Sequence, residues 1–368
     1  MNKNDILFIH GTDYLQMTKR LLEQADIAAE IGSPDRHVVL KPNLVTDAPP
    51  SSGATTHAEL LAGAIEYLQE HGFRNITIAE GSWVGATTDR AMRRCGYDKV
   101  CSQYHVPFAD LKHDSFHEYD AKGMKINICD LAMHADYLIN MPVLKGHCQT
   151  TVTCALKNNK GVIPDQEKRR FHTLGLHKPI AHLNTVCKND FILVDNICGD
   201  LDFEEGGNPV VMNRLLAFKD PVLCDSFVCS AMGVDIDEVP YISLAERLGV
   251  GSADLSHANR IYLNDPSEAQ RKAEEQPMSR RVKQLEKYAA PIDACSACYG
   301  SLIHALNRMD EKNRAKYLNA PICIGQGYQG RSGEVGVGRC TAGCRHSLAG
   351  CPPRAADILD FLTKQTVE

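Results

Sequence analysis

The chain has 368 residues, with 40 Lys and Arg against 46 Asp and Glu, so its net charge is −6. At 43% hydrophobic and 23% charged residues it has the make-up of an ordinary globular protein, which excludes a disordered, collagenous or coiled-coil chain and leaves room for about two domains. No run of about 18 apolar residues marks a membrane helix, and the mild acidity argues against nucleic acid as the main partner.

The opening segment, MNKNDILFIHG, has no apolar signal core and no small-residue cleavage site, so a cytoplasmic protein is expected. Further along, strand and helix patterns alternate. His37–Leu40 reads as a strand leading into Lys41-Pro42-Asn43. Thr56-His57-Ala58-Glu59 reads as a capping box before a helix that sets Leu60, Leu61, Ala64, Ile65 and Leu68 on one face and stops at Gly72. Asn75–Ala79 alternates as a strand and ends at Glu80-Gly81-Ser82, completing a βαβ unit with a right-handed crossover. More strands are expected at Lys125–Cys129, Tyr137–Asn140, Phe191–Val194 and Arg260–Leu263, and helices at Pro221–Met232 and Glu238–Leu248. Such alternation predicts an α/β layered domain with a mainly parallel sheet over residues 1–265. Between Pro266 and Pro291 ten of 24 residues are charged, which reads as a solvated helical linker. Residues 292–368 form a small Cys-rich domain with a short helix, a strand at Pro321–Ile324, a Gly-rich loop and a last helix from about Pro352. No internal repeat is evident.

The cysteines carry the most chemistry. Residues 1–294 hold nine of the 15, and the short stretch from Cys295 to Cys351 holds six. In a reduced compartment the scattered nine read as buried thiols and the six as a metal site. Cys295 and Cys298 are spaced to converge on one centre, and Cys340, Cys344 and Cys351-Pro352-Pro353 follow. The prolines suit the first turn of a helix, whose N-terminus favours thiolate charge, and a Cys-Pro often closes an iron–sulfur ligand set. Three readings stand: a [4Fe–4S] cluster, a structural zinc site, and unligated thiols. The cluster is favoured, because a zinc ribbon usually shows two CxxC pairs. Cys295, Cys298, Cys340 and Cys351 are the expected ligands, with Cys344 the rival of Cys340 and Cys323 a buried strand thiol. Gly325 to Gly330 matches GxGxxG, but no helix opens after it, so a dinucleotide site is not assigned there.

In the body, residues 145–178 carry seven Lys and Arg against two acidic residues, within a chain that is acidic overall. A local cationic patch points to a small anionic substrate, a carboxylate or phosphate, although a solvated basic surface has the same composition. Ligands of open α/β sheets bind beyond the carboxyl ends of strands. That rule gathers Lys41 and Asn43, Glu80 and Ser82, Lys145 and His147, and Asp195 and Asn196. The acidic run Asp195, Asp200, Asp202, Glu204 and Glu205 reads as a solvated turn, with a cation site as the alternative; its spacing is not that of an EF-hand.

These residues also carry a resemblance. Lys41-Pro-Asn-Leu-Val45, Thr55-Thr-His57, the stretch Ala135 to His147, Leu156-Lys-Asn-Asn-Lys-Gly161, Val194-Asp195 and Lys219 to Asp225 resemble a prokaryotic family catalogued as domain of unknown function 362. The resemblance spans about residues 37–265. It implies an α/β domain and frequent association with [4Fe–4S] clusters, and it implies no activity. The ferredoxin-like Cx2Cx2Cx3CP repeats of many members are absent here.

The resulting expectation is an iron–sulfur oxidoreductase. Lys41, Asn43, Glu80, Lys157 and Asn158 would bind the substrate; Lys145, His147, Asp195, His172 and His177 would serve catalysis. A ferredoxin or flavodoxin would be the redox partner. Two other classes stand beside it: a non-redox lyase with one open iron site, and an electron or cluster carrier without a substrate pocket.

Overall fold

Strands β1 (Asp5–His10), β2 (Val38–Pro42), β3 (Ile76–Glu80) and β4 (Phe108–Asp110) come first in the chain. Then follow β5 (Phe116–Ala121), β6 (Met124–Cys129), β7 (Tyr137–Met141), β8 (Lys145–His147) and β9 (Thr151–Thr153). The long strands β10 (Phe191–Asp200) and β11 (Pro209–Phe218) and the edge strand β12 (Asn259–Tyr262) complete the first part. In this computed structural model, which describes residues 1–268 and 281–365, eight of them form one sheet in the order β12-β1-β11-β10-β7-β2-β3-β4. Only β11 runs antiparallel to its neighbours; all other pairs are parallel. The α/β architecture with a mainly parallel sheet is therefore the fold of this region.

The inner parallel strands β2, β3 and β7 are buried from end to end, as their largely apolar runs require when helices cover both faces. The helices Tyr14–Ala25 and Ala58–Glu70 pack on each other, and Leu21, Leu22, Leu61 and Leu68 meet Leu7, Ile9, Leu40 and Ile78 of the sheet in one apolar core. Gly63 makes that helix pairing close: a Cβ there would stand 2.5 Å from the Leu15 carbonyl oxygen.

The expected capping box does not form. The N-cap of the helix Ala58–Glu70 is His57, and no side chain caps it. Thr56 Oγ1 instead accepts from the Asn43 backbone N–H at 2.9 Å and donates to the Met141 carbonyl at 2.8 Å, tying two strand ends together. Lys125–Cys129 is a strand, but β6 pairs only with β5 in a separate hairpin. β1 and β11, which are not among the expected strands, sit inside the main sheet.

By its contacts the chain divides into two units. One is Met1–Glu167 with His177–Met278; the other is Lys168–Leu176 with Ser279–Glu368. The expected linker 266–291 lies partly outside the described residues; its described end holds a helical turn, Arg281–Leu285, and the strand β13 (Ala289–Pro291).

In the second unit β13, β14 (Ile322–Ile324), β15 (Val335–Val337) and β16 (His346–Leu348) form a parallel sheet in chain order. The helices Ser296–Arg308 and Ala355–Lys364 pack on each other, and Tyr317 donates its hydroxyl to the Leu362 carbonyl at 2.7 Å. An internal repeat is present after all. Each of β14 and β15 is followed by a glycine of positive φ and a short 3-10 turn: Gly325 with Gln326–Tyr328, and Gly338 with Arg339–Thr341. It escapes notice in sequence because each copy is three strand residues and one turn long. The GxGxxG match is one copy of this turn and opens no helix. The last helix begins at Ala355, so Pro352 and Pro353 precede it rather than fill its first turn.

Candidate functional site

The carboxyl ends of β2, β3, β7 and β10 lie side by side, and each ends in polar residues. Lys41 is the last but one residue of β2, fully buried, with Nζ 2.5 Å from Glu80 Oε2 at the end of β3. Glu80 Oε1 accepts from the Gly81 N–H at 2.7 Å. Burial pulls the Lys41 ammonium below its ordinary range, and the Glu80 carboxylate partly restores it. Gly161 closes the pair from one side: a Cβ there would fall 1.8 Å from Glu80 Oε1 and 2.7 Å from Lys41 Nζ. The glycine of the Leu156–Gly161 motif is thus required by close backbone approach to an ion pair.

Asn43 follows β2 and donates to Asn158 Oδ1 at 3.0 Å; Asn158 donates to Asn140 Oδ1 of β7 at 2.7 Å. Lys145 spends all three ammonium protons on oxygens: the Ala54 carbonyl at 2.5 Å, the Glu204 carbonyl at 3.0 Å and Asn43 Oδ1 at 3.3 Å. Burial, with Lys157 nearby, brings its pKa down to about 8 against the pull of Glu204. A lysine so placed exchanges its proton near neutral pH.

Glu204 joins the rest. Its carboxylate meets Lys157 Nζ at 2.6 Å and His147 Nε2 at 2.9 Å. Burial alone would raise Glu204; Lys157, His147 and Lys145 outweigh it and hold the carboxyl well below the usual range. His147 Nδ1 accepts from the Gln149 and Thr150 N–H groups, both at 3.0 Å. The neutral ring therefore carries its proton on Nε2, toward Glu204. Burial, then Lys157, pushes His147 down to about 4. Burial and the adjacent Glu204 push Glu205 up to about 8. Two glycines let these segments touch: Cβ atoms on Gly146 and Gly199 would lie 2.1 Å from the Leu201 oxygen and 1.9 Å from the Leu144 oxygen.

The structure thus unites Lys41, Asn43, Glu80, Lys145, His147, Lys157 and Asn158. It also corrects two expectations. The acidic run is no solvated turn: Asp195 and Asp200 are fully buried in β10, and Glu204 is 6% exposed. Within the expected cationic patch, Lys145 and Lys157 are buried and already faced by fixed oxygens and Glu204, whereas Arg169 and Lys178 are exposed. Asp195 belongs to another group. Its Oδ2 accepts from both the backbone N–H and ring Nδ1 of His57 at 2.8 Å. Burial opposes the charged ring, but Asp195 raises His57 to about 10. His172 and His177 do not form one stretch of site: the first falls in the second unit, while the second opens the helix His177–Leu183 with its ring 5.8 Å from that of Tyr241. Sequence reading missed Glu204 and His57 as partners; only the Thr55-Thr-His57 motif hinted at the latter.

In the second unit the six cysteines sort into two sets. Cys298, on the first turn of the helix Ser296–Arg308, has its thiol pushed up to about 12 by burial and by Cys295, Cys351 and Cys340 around it. Gly338, at φ +97°, lies beneath it, where a Cβ would stand 3.5 Å from the Cys298 sulfur. Gln329 Nε2 reaches Cys340 Sγ at 3.6 Å, and the Arg339 N–H donates to the Gly350 carbonyl at 2.8 Å, fastening the Cys340 and Cys351 loops together. Cys344 instead packs with Cys323 and Tyr328, and both sulfurs crowd Gly333. Among the described residues, no three of these six sulfurs come within 4.8 Å of one another.

The family model for domain of unknown function 362 matches residues 38–230. A curated relative, the thylakoid-associated protein sll1697 of Synechocystis sp., is 25% identical over 271 residues, 68% of this chain and 82% of that one. The lactate racemase apoprotein from Thermoanaerobacterium thermosaccharolyticum is similar with a TM-score of 0.36 and 16% identity, over 59% of this chain and 53% of that one. No helix among the described residues is long and apolar enough to cross a membrane.

Proposed function

The chain belongs to the family of domain of unknown function 362, and on that premise we propose that it is a cytoplasmic [4Fe–4S] oxidoreductase acting on a small anionic substrate. One observation supports the reading: Cys298, seated over the Gly338 turn, lies within electrostatic reach of Cys295, Cys351 and Cys340, while Cys344 packs with Cys323. The residues fit such a cluster. A zinc ion with about 2.3 Å bonds would draw its sulfurs to within about 4 Å of each other, closer than any three of these stand. A buried thiol raised by its surroundings, as Cys298 is, would be settled as thiolate by a cationic centre. Cys295, Cys298, Cys340 and Cys351 would hold the cluster, and the backbone around Gly338 and Gly350 would approach its sulfides. Bound there, the cluster supplies single-electron exchange.

Lys145 and His147 are the proton-handling groups of this reading, because their pKa values of about 8 and about 4 bracket neutral pH. Lys41, Asn43, Glu80, Lys157 and Asn158 would orient the substrate, whose charge must compete with Glu80 and Glu204 for the lysines. Asp195, with His57, is a second proton-handling pair. A ferredoxin or flavodoxin would exchange electrons with the cluster. A carrier role is the second reading, favoured by the exposure of Cys351.

The test is iron and acid-labile sulfide analysis on protein purified without oxygen, with EPR before and after dithionite. About four irons and four sulfides per chain, and a signal lost in Cys298→Ala, are expected. One zinc and no iron overturns the cluster. A cluster whose signal no small organic anion perturbs favours the carrier.

A further inference from the structure

The pair His57–Asp195 has a third member that the oxidoreductase reading does not use. Cys198 lies on β10 three residues beyond Asp195, and its Sγ is 3.9 Å from His57 Nε2. In a regular strand, residues three apart point to opposite faces. The β10–β11 register shifts between Asn196 and Cys198, with the extra residue on β11, where Asn213 has φ +48°; beside this irregularity Asp195 and Cys198 both reach the His57 ring. Asp195 is itself locked, its Oδ1 accepting from the Ile197 N–H at 3.1 Å and its Oδ2 holding His57 twice. Nδ1 of His57 is thereby committed to Asp195, and Nε2 faces the sulfur. The His57 side chain is 12% exposed, so the group reaches solvent through the ring. Cys198 also donates to the Pro50 carbonyl at 3.4 Å. Tyr14 and Tyr97 are further titratable groups that face this cluster, and Glu59 lies near Tyr14. Tyr14 is tied to Asn213 at 2.7 Å and Tyr97 to the Thr56 carbonyl at 2.7 Å.

We propose that Cys198, His57 and Asp195 form a nucleophilic thiol centre that takes an acyl group from a small thioester. Thiol, imidazole and carboxylate in this order are the arrangement of covalent acyl transfer, recognised by geometry rather than by chain order. The Cys198 sulfur bonds to the carbonyl carbon. The carbon–sulfur bond of the donor breaks, and the leaving thiolate takes the Nε2 proton of His57. Water then adds to the acyl carbon, returns a proton to His57 Nε2, and releases the carboxylic acid from Cys198. Asp195 positions the ring and balances its charge throughout. No redox change occurs, so no electron donor is needed.

The test uses the full chain, with iodoacetamide and then phenyl thioacetate as probes and peptide-resolved mass spectrometry as readout. Near pH 6, Cys198 is expected to alkylate about tenfold faster than Cys101, although Cys101 is the more exposed, because the His57–Asp195 pair faces its sulfur and activates it as a nucleophile. Phenyl thioacetate is expected to leave an acetyl group on Cys198. His57→Gln should slow Cys198 labelling about tenfold near pH 6 and much less near pH 9, a pH split that a loss of packing would not produce. Alkylation of Cys198 no faster than of Cys101 in the unaltered protein overturns the proposal, whatever the variant does. Fast alkylation without acyl capture overturns the acyl-transfer role. Cys198→Ala should keep its iron, so failure here and failure of the cluster reading are told apart.

Discussion

In the network at the strand ends, every buried lysine has its counter-charge or a set of fixed oxygens within about 3 Å: Glu80 for Lys41, Glu204 for Lys157, three oxygens for Lys145. In the cysteine group the neighbours are alike. Burial, then Cys295, Cys351 and Cys340, disfavour the charge of the Cys298 thiol. The difference teaches what each is built for. The network is complete as protein and stabilises the junction of four strands whether or not a substrate comes. The cysteine group gains from a positive centre, which is the property of a ligand set.

The sharpest way to break this comparison is to remove one thiol. Cys340→Ser should take the iron content from about four per chain to near zero by elemental analysis, with the first unit's unfolding midpoint unchanged. Next comes the network. Glu80→Ala leaves the Lys41 ammonium buried without its partner and should cost about 3–5 kcal/mol in urea unfolding, whereas Lys41→Met with Glu80→Gln should recover much of that. A double variant as damaged as the single one would show that the pair is not the source of the effect.

The acid limb of stability tests His147. Its folded pKa of about 4 lies below the unfolded value near 6.5, so the unfolded chain binds the extra proton. Stability is therefore full above about pH 6.5 and falls as the pH drops toward 4, by about 2–3 kcal/mol for this one ring. His147→Gln should flatten that slope in pH-dependent unfolding. Gly161→Ala should cost about 1–3 kcal/mol, since its Cβ would press on Glu80 and Lys41. The smallest effect is expected from Cys344→Ser, which pairs with Cys323 and should leave the iron content as it was.

Much of this was legible in the residues. The apolar runs of β2, β3 and β7 and the apolar helix faces between them are read from periodicity, because burial on both faces leaves a continuous hydrophobic signature. The strand-end rule then gathered Lys41, Asn43, Glu80, Lys145 and His147 without coordinates, and the structure does place them together. Two kinds of feature stayed hidden. β1 takes its place in the sheet through β11 and β12, pairing partners far away in the chain, which no local window reports. Glu204 lies 47 residues from Lys157 and 57 from His147, and its spacing within an acidic run looked like a solvated turn.

The sequence by itself determined the α/β class, the family and the identity of the chemical groups, since composition, period and motif are local properties. Tertiary structure alone decided which groups neutralise one another. Charge pairing depends on distances of a few ångströms between segments that chain order does not relate. The same reason explains why His57 reads only as a member of a capping box in one dimension and as the partner of Asp195 and Cys198 in three.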